Sequence, residues 1–216
     1  MKKIASVILI AVLCTVMLFG CRDIGESKQS SSSLSLNQNV SSPNAIQAKK
    51  YHTLLLNVMD NEKTFIAENG SETLFRNYKI PNATEDIAIE VDEYTFIDLD
   101  GDNIDELAIK CTTDYGLYII LHLDKNTDNI YGYSLGLRSF IDVKTDGTFM
   151  QSSGADINSI NKMSFDKTNL KIRALAVNNR SEKIYQIDNG SVTKLEVQKY
   201  FERWNSLKNC TWLPFE

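Results

Sequence analysis

The chain has 216 residues, of which 43% are hydrophobic, 9% aromatic and 24% charged, with a formal net charge of −5. That apolar content is ordinary for a globular fold and suffices for one core of useful size. The acidic balance opposes nucleic acid and anionic lipid head groups, so no nucleic-acid partner is expected and charge supplies no membrane contact.

Met1 to Gly20 reads as a targeting segment. Lys2 and Lys3 form a positive start, and Ile4 to Phe19 is an apolar run of roughly 16 residues, shorter than the about 20 of a spanning helix. The run closes on Leu18-Phe19-Gly20-Cys21, which resembles the lipobox of bacterial lipoproteins. The resemblance implies cleavage after Gly20, diacylglycerol on the Cys21 sulfur, and a further palmitate-type chain on the new amino terminus. Two or more chains give a stable anchor, on the extracytoplasmic face of the cell membrane. An uncleaved N-terminal helix and cleavage by the ordinary signal peptidase are the alternatives. Loss of Lys2 and Lys3 with this segment takes the net charge from −5 to −7.

Arg22 to Asn44 contains a run of four serines from Ser30, then Asn37-Gln38-Asn39 and Ser41-Ser42-Pro43, and no aromatic residue. Such a composition buries too little surface to offset ordering entropy, and the segment reads as a linker from the lipidated cysteine to a single domain over 45–216. As a flexible coil it spans roughly 25 Å.

The domain opens with an apolar stripe at helical spacing (Ile46, Tyr51, Leu54, Leu55, Val58), which predicts a helix from Ala45 to Met59. Asn69-Gly70 and Pro81-Asn82 punctuate a less regular stretch. From Glu90 the pattern becomes short β-type runs: Tyr94–Leu99, Glu106–Thr112, Gly116–Leu123, Asn129–Leu135, Arg138–Val143, Thr148–Gln151, Ser159–Phe165, Leu170–Val177 and Lys183–Ile187. Asp146-Gly147, Asn178-Asn179 and Asp188-Asn189-Gly190 read as hairpin turns. With no helix pattern between them, consecutive strands are expected to pair antiparallel. A second helix follows Thr193, with Glu196 at capping-box spacing and an apolar stripe of Val197, Tyr200, Phe201, Trp204 and Leu207. Thr211-Trp212-Leu213 reads as a final edge strand. The expected fold class is α+β, a long antiparallel β-meander, strongly curled or not, with an N-terminal helix and a helix near the C-terminus.

Cys111 and Cys210 are the only cysteines of the folded part. Export permits a disulfide between them, and two buried thiols are the other reading. No Cys/His cluster has zinc-site spacing.

Chemistry concentrates in Asp98-Leu99-Asp100-Gly101-Asp102-Asn103-Ile104-Asp105-Glu106. Alternating carboxylates at partly buried positions repel one another, and a divalent cation removes the repulsion. The spacing suits Ca²⁺, which takes six to eight oxygens: carboxylates of Asp98, Asp100 and Asp102, the backbone carbonyl of Ile104, and Glu106. Gly101 permits a tight turn and Asn103 tolerates the left-handed conformation. Asp105 is expected to point away from the cation. The flanking runs are strands, and Ile109 stands where an EF-hand places its last glutamate, so the loop is not an EF-hand.

The segment resembles the Asp-x-Asp-x-Asp-Gly-x-x-Asp loops of FG-GAP and related integrin-type repeats, with Asn103 for the usual glycine and Glu106 for the last aspartate. A longer resemblance joins Tyr94–Lys110 to uncharacterised lipoproteins of Gram-positive bacteria, with Asp105 in place of their proline. It extends through Tyr131-Gly132-Tyr133, Lys144–Phe149 and Ser152-Ser153-Gly154-Ala155. It implies lipoprotein character and a calcium-type loop, and no activity.

Ile97–Gly101 also resembles the first motif of haloacid dehalogenase phosphatases, but Asp102 replaces their Thr or Ser and the chain lacks βαβ alternation. Asp98-Leu99-Asp100 matches the DxD of some glycosyltransferases, whose nucleotide sugars an exported protein does not meet. His52 and His122 read as structural, Ser152-Ser153-Gly154 as a loop, and the aromatic-rich stretch Tyr115–Tyr133 as core rather than the lining of a ligand groove. The functional expectation is a calcium-stabilised surface lipoprotein that binds an extracellular protein or glycan. The alternative is a cell-envelope hydrolase with an acidic metal site.

Replacement of the lipobox cysteine tests the anchor. Cys21→Ala is expected to release the protein from membranes or leave the signal uncleaved, as read by fractionation and intact mass. Unchanged mass with unchanged membrane retention contradicts it.

Overall fold

The structure, a computed structural model, describes residues 43–81, 89–113 and 116–215. The targeting segment, Cys21, nearly all of the linker and Tyr115 lie outside the described residues. Among those described, no helix is long and apolar enough to cross a membrane.

In chain order the elements are α1 (Pro43–Met59), β1 (Phe65–Ile66), β2 (Glu72–Thr73), β3 (Glu90–Ile97), β4 (Glu106–Thr112), β5 (Leu117–Asp124) and β6 (Asn129–Gly136). Then come β7 (Phe149–Ser152), β8 (Ile157–Asp166), β9 (Asn169–Asn179), β10 (Ile184–Ile187), β11 (Gly190–Ser191), α2 (Lys194–Asn205) and β12 (Leu213–Pro214). The α+β class, the two helices and the antiparallel meander are as the sequence predicts. The meander divides into two open sheets, ordered β12-β3-β4-β5-β6-β1-β2 and β11-β10-β9-β8-β7. All pairs are antiparallel except β1 with β6.

Side-chain alternation along the first sheet builds two cores. Leu107, Ile109, Ile119, Leu121 and Leu123 face α1, where Leu55 and Val58 are fully buried. The opposite set, Ala108, Ile120, Tyr131 and Tyr133, meets Phe140, Val143, Phe149 and Met163. A third cluster joins Ile160 and Ala176 of the second sheet to Val197 and Trp204 of α2. The layers are therefore helix, sheet, sheet, helix. Burial on both faces explains why β5 reads as an almost unbroken apolar run.

Two expectations are corrected. Arg138–Val143 is not a strand: a single 3-10 turn covers Leu137–Ser139, and only one bridge, Ile141 to Met150, follows. Phe140 and Val143, three apart, both plug the space between the sheets, while Asp142 adopts φ 49° and breaks the extended path. Asn178-Asn179 is not a turn but the end of β9, paired with Asn158 and Ile157. The reversal comes after it, where Asn179 Oδ1 accepts from Ser181 Oγ and Glu182 N–H.

Helix α2 starts as expected, with Glu196 N–H donating to Thr193 Oγ1 and Thr193 N–H to Glu196 Oε2. Its Trp204 Nε1 donates to Thr148 Oγ1 (2.8 Å), and Lys144 Nζ sits 4.5 Å from the Trp204 ring centre. Of the two readings of the cysteines, the structure has two free thiols. Cys111 packs in the core facing α1 and Cys210 against the core between the sheets. Burial pushes the Cys111 thiol up to about 12 and that of Cys210 to about 11.

Candidate metal centre

The acidic loop joins β3 to β4 at the end of the first sheet. Its backbone curls because both special residues adopt the left-handed region, Gly101 at φ 86° and Asn103 at φ 66°. The carboxylates satisfy the loop's own amides. Asp98 Oδ1 accepts from Gly101 N–H (2.6 Å) and Asp102 N–H (3.2 Å), and Oδ2 from Asn103 N–H (3.0 Å). Asp100 Oδ1 accepts from Asp102 N–H (3.0 Å), and Asp102 Oδ1 from Ile104 N–H (2.8 Å). The outcome is convergence: one carboxylate oxygen from each of Asp98, Asp100 and Asp102 lies within 4.8 Å of the others.

Glu106 stands apart from that surface triad. It is fully buried, with Oε2 accepting from Leu99 N–H at 2.7 Å and Oε1 lying 2.9 Å from His122 Nδ1. Burial pushes its carboxyl up to about 7, against the opposing effect of these two bonds. Asp100 is also raised, first by burial and then by the negative field of Asp102. Asp100, Glu106 and His122 form a second convergent group, each offering one ligand atom within 4.8 Å of the others. Asp100 thus links the half-buried triad to Glu106 and His122. All five sequence-predicted positions fall in one short segment, Ile104 being buried at the loop's exit.

Asp105 turns the other way, its Oδ2 2.9 Å from His52 Nε2 on α1. His52 stacks on Phe96 (3.8 Å between ring centres) and His122 on Phe165 (4.4 Å). Both histidines therefore have packed, carboxylate-bonded positions. His122 is the site neighbour that the sequence reading missed. Its signal was available: β4 pairs β5 with Leu107 opposite Leu121, so the next register step sets Glu106 beside the one polar residue within the apolar run of β5.

Two ammonium groups approach the loop. Lys125 Nζ is 3.0 Å from Asp102 Oδ2, and a Cβ on Gly101 would stand 3.0 Å from Lys162 Nζ. From below, the Asp146-Gly147 turn presses against the loop's start. A Cβ on Gly147 would meet the Asp98 carbonyl at 2.3 Å, and its φ of 79° independently favours glycine. Asp146 Oδ1 shapes that turn by accepting from Thr148 N–H (3.0 Å) and Thr148 Oγ1 (2.6 Å).

Oxygen chemistry dominates the donor set. Three converging carboxylates are the kind of oxygen donors that hard cations such as Ca²⁺ take. The donor chemistry is compatible with such an ion, with Asp98, Asp100 and Asp102 as the side chains that would hold it. Comparison with protein-family models, curated proteins and solved structures found no match to this chain.

The contact with Asp98 predicts that Gly147→Ala costs about 1–3 kcal/mol, because rigid backbone must move to admit one methyl. Gly136→Ala, with nothing within 4 Å of the added Cβ, serves as the control. Urea unfolding reads both. A Gly147→Ala loss no larger than that of the control contradicts the bracing of the loop by this turn.

Proposed function

We propose that the chain is an extracytoplasmic lipoprotein, anchored to the cell membrane by lipid on Cys21, whose domain is a binding module for an extracellular partner and is stabilised by Ca²⁺ in the loop 98–106. The observation that carries the calcium reading is the convergence of Asp98, Asp100 and Asp102. With all three ionised the empty loop repels itself, and the raised Asp100 carboxyl is a sign of that repulsion and of burial together. The sequence pattern adds the Ile104 carbonyl and Glu106 to that set, but Glu106 is fully buried with both oxygens engaged by Leu99 N–H and His122, so the three aspartates carry the proposed site. The lipobox and its positive start support the anchor, as does the resemblance to Gram-positive lipoproteins. The bound ion would supply charge neutralisation and oxygen bonds; the chain's own part is to hold the loop shape with Gly101 and Asn103 in place.

The alternative, an envelope hydrolase with an acidic metal site, has one observation in its favour. Asp100, Glu106 and His122 offer mixed oxygen and nitrogen donors, which suit a transition metal better than calcium. Against it, Glu106 is fully buried with both oxygens already engaged.

Melting curves separate these readings. Ca²⁺ at a hundredfold excess over its dissociation constant is expected to stabilise by about 2.7 kcal/mol, and Mg²⁺ by much less. Asp100→Ala abolishes the calcium-dependent increment. Asp105→Ala lowers the baseline by removing the His52 bond and keeps the increment. Identical curves in calcium and in chelator contradict the site, and a rise with Zn²⁺ or Mn²⁺ alone favours the hydrolase.

A further inference from the structure

Away from the acidic loop, at the opposite end of β3 and β4, the first sheet carries a groove of about 410 Å³. Its floor is a cross-strand row. Glu93 of β3 pairs with Lys110 of β4, and Lys110 with Tyr118 of β5. Its walls are two segments that the fold brings together from far apart: Arg138 and Asp142 from the connection between the sheets, and Trp212 from the stretch before β12. Tyr118 and Trp212 stack obliquely, 5.7 Å between ring centres at 48°, and both are half-buried.

We infer that this groove binds a neutral carbohydrate chain, with Trp212 and Tyr118 stacking on sugar faces and Glu93, Asp142 and Arg138 bonding their hydroxyls. This rests on the reading of the domain as an exported binding module and is independent of the calcium loop.

Four observations point to that ligand. A sugar ring presents an apolar C–H face and a rim of hydroxyls, so it needs an aromatic plane flanked by donors and acceptors. The groove has both. Among the described residues, neither the Trp212 indole N–H nor the Tyr118 hydroxyl has a protein hydrogen-bond partner, and the Asp142 carboxylate has none either. Second, charge is nearly balanced. The carboxylates of Asp92, Glu93 and Asp142 face the cations Lys110 and Arg138, and Lys110 is already held by Asp92 (2.9 Å) and Glu93 (2.8 Å). A polyanion gains nothing here. Third, strand addition by a peptide is blocked. The edge beside β3 is taken by β12, which carries Pro214, and Phe215 N–H already donates to Asp92 O. Fourth, Asp142 is held at φ 49° by buried neighbours on both sides, Phe140 two residues before and Val143 immediately after. Aspartate takes this conformation readily, so the backbone sets an exposed carboxylate at the rim of the groove.

The test uses the full chain in detergent micelles, titrated with an N-acetylglucosamine tetramer and with a β-linked glucose tetramer. Trp204 is buried and hydrogen-bonded inside, so a saturable change in tryptophan emission belongs to Trp212. At least one tetramer is expected to give that change and a matching heat by calorimetry. Trp212→Ala should weaken the calorimetric dissociation constant at least about tenfold, or about 1.4 kcal/mol. Trp212→Phe should recover most of it, and Asp142→Gly, which removes the carboxylate and keeps the left-handed backbone, should weaken it severalfold. Absence of heat and emission change with both tetramers overturns the proposal, as does binding unaltered in Trp212→Ala and Asp142→Gly. Binding of heparin or of a peptide library in place of the tetramers also overturns it. Titrations in calcium and in chelator keep the two sites apart: sugar binding in both with no calcium-dependent melting shift contradicts the metal loop alone.

Discussion

Glu106 has no exposed surface, yet both its carboxylate oxygens are engaged, one by the Leu99 amide and one by His122. A carboxylate so placed ties three strands together. It sits at the first residue of β4, reaches back to the end of β3 through Leu99, and crosses to β5 through His122. Burial pushes its carboxyl up to about 7, and the same group converges with Asp100 of the acidic loop. Whatever neutralises the loop above therefore acts on the sheet beneath it.

The consequences run through both sheets. The loop rests on the Asp146-Gly147 turn, and that turn is fixed by Thr148, which accepts from Trp204 of α2. Lys144, buried at the base of the same turn, donates to Asn209 Oδ1 (2.6 Å) and lies over the Trp204 ring. On the other side, Asp105 engages His52 of α1. Loop, both helices and both sheets are thus joined by a run of contacts, polar except where Gly147 abuts the Asp98 backbone, set within apolar layers that supply most of the stabilisation. The carbohydrate groove proposed at the far end of β3 and β4 uses the same strands with the opposite logic, lining itself with half-buried aromatic rings and balancing its charges.

Much of this was legible in the residues. Local chemistry read well: the capping box of Thr193 and Glu196, the left-handed Asn103, the outward Asp105 and most strands follow from nearest neighbours in sequence. What failed was set by distant partners. β1 and β2 are two residues each and are held by Glu68, whose Oε1 accepts from Ser134 N–H and Oγ and whose Oε2 accepts from Tyr78. β1 can pair parallel to β6 because Gly132 leaves room for the Phe65 ring, where a Cβ would approach to 2.3 Å. Arg138–Val143 has strand-like composition but fills the space between two sheets, and the division of the meander into two sheets depends on that plug. His122 is packed and bonded as a structural residue, and its pairing with Glu106 becomes visible only once strand register is known. Of the aromatic stretch Tyr115–Tyr133, Tyr131 and Tyr133 are core as expected, and half-buried Tyr118 packs against the same core on Phe140 while also lining the groove.

The central claim is that a cation on the surface carboxylates stabilises the sheet through the amides those carboxylates and Glu106 hold. Native-state amide hydrogen exchange, residue by residue with calcium and with chelator, tests it most directly. The account predicts that calcium slows exchange first at Gly101 and Asn103, which donate to Asp98, and at Leu99, which donates to Glu106, with added protection spreading into β4 and β5. Exchange at these three amides that is the same with and without calcium would contradict it.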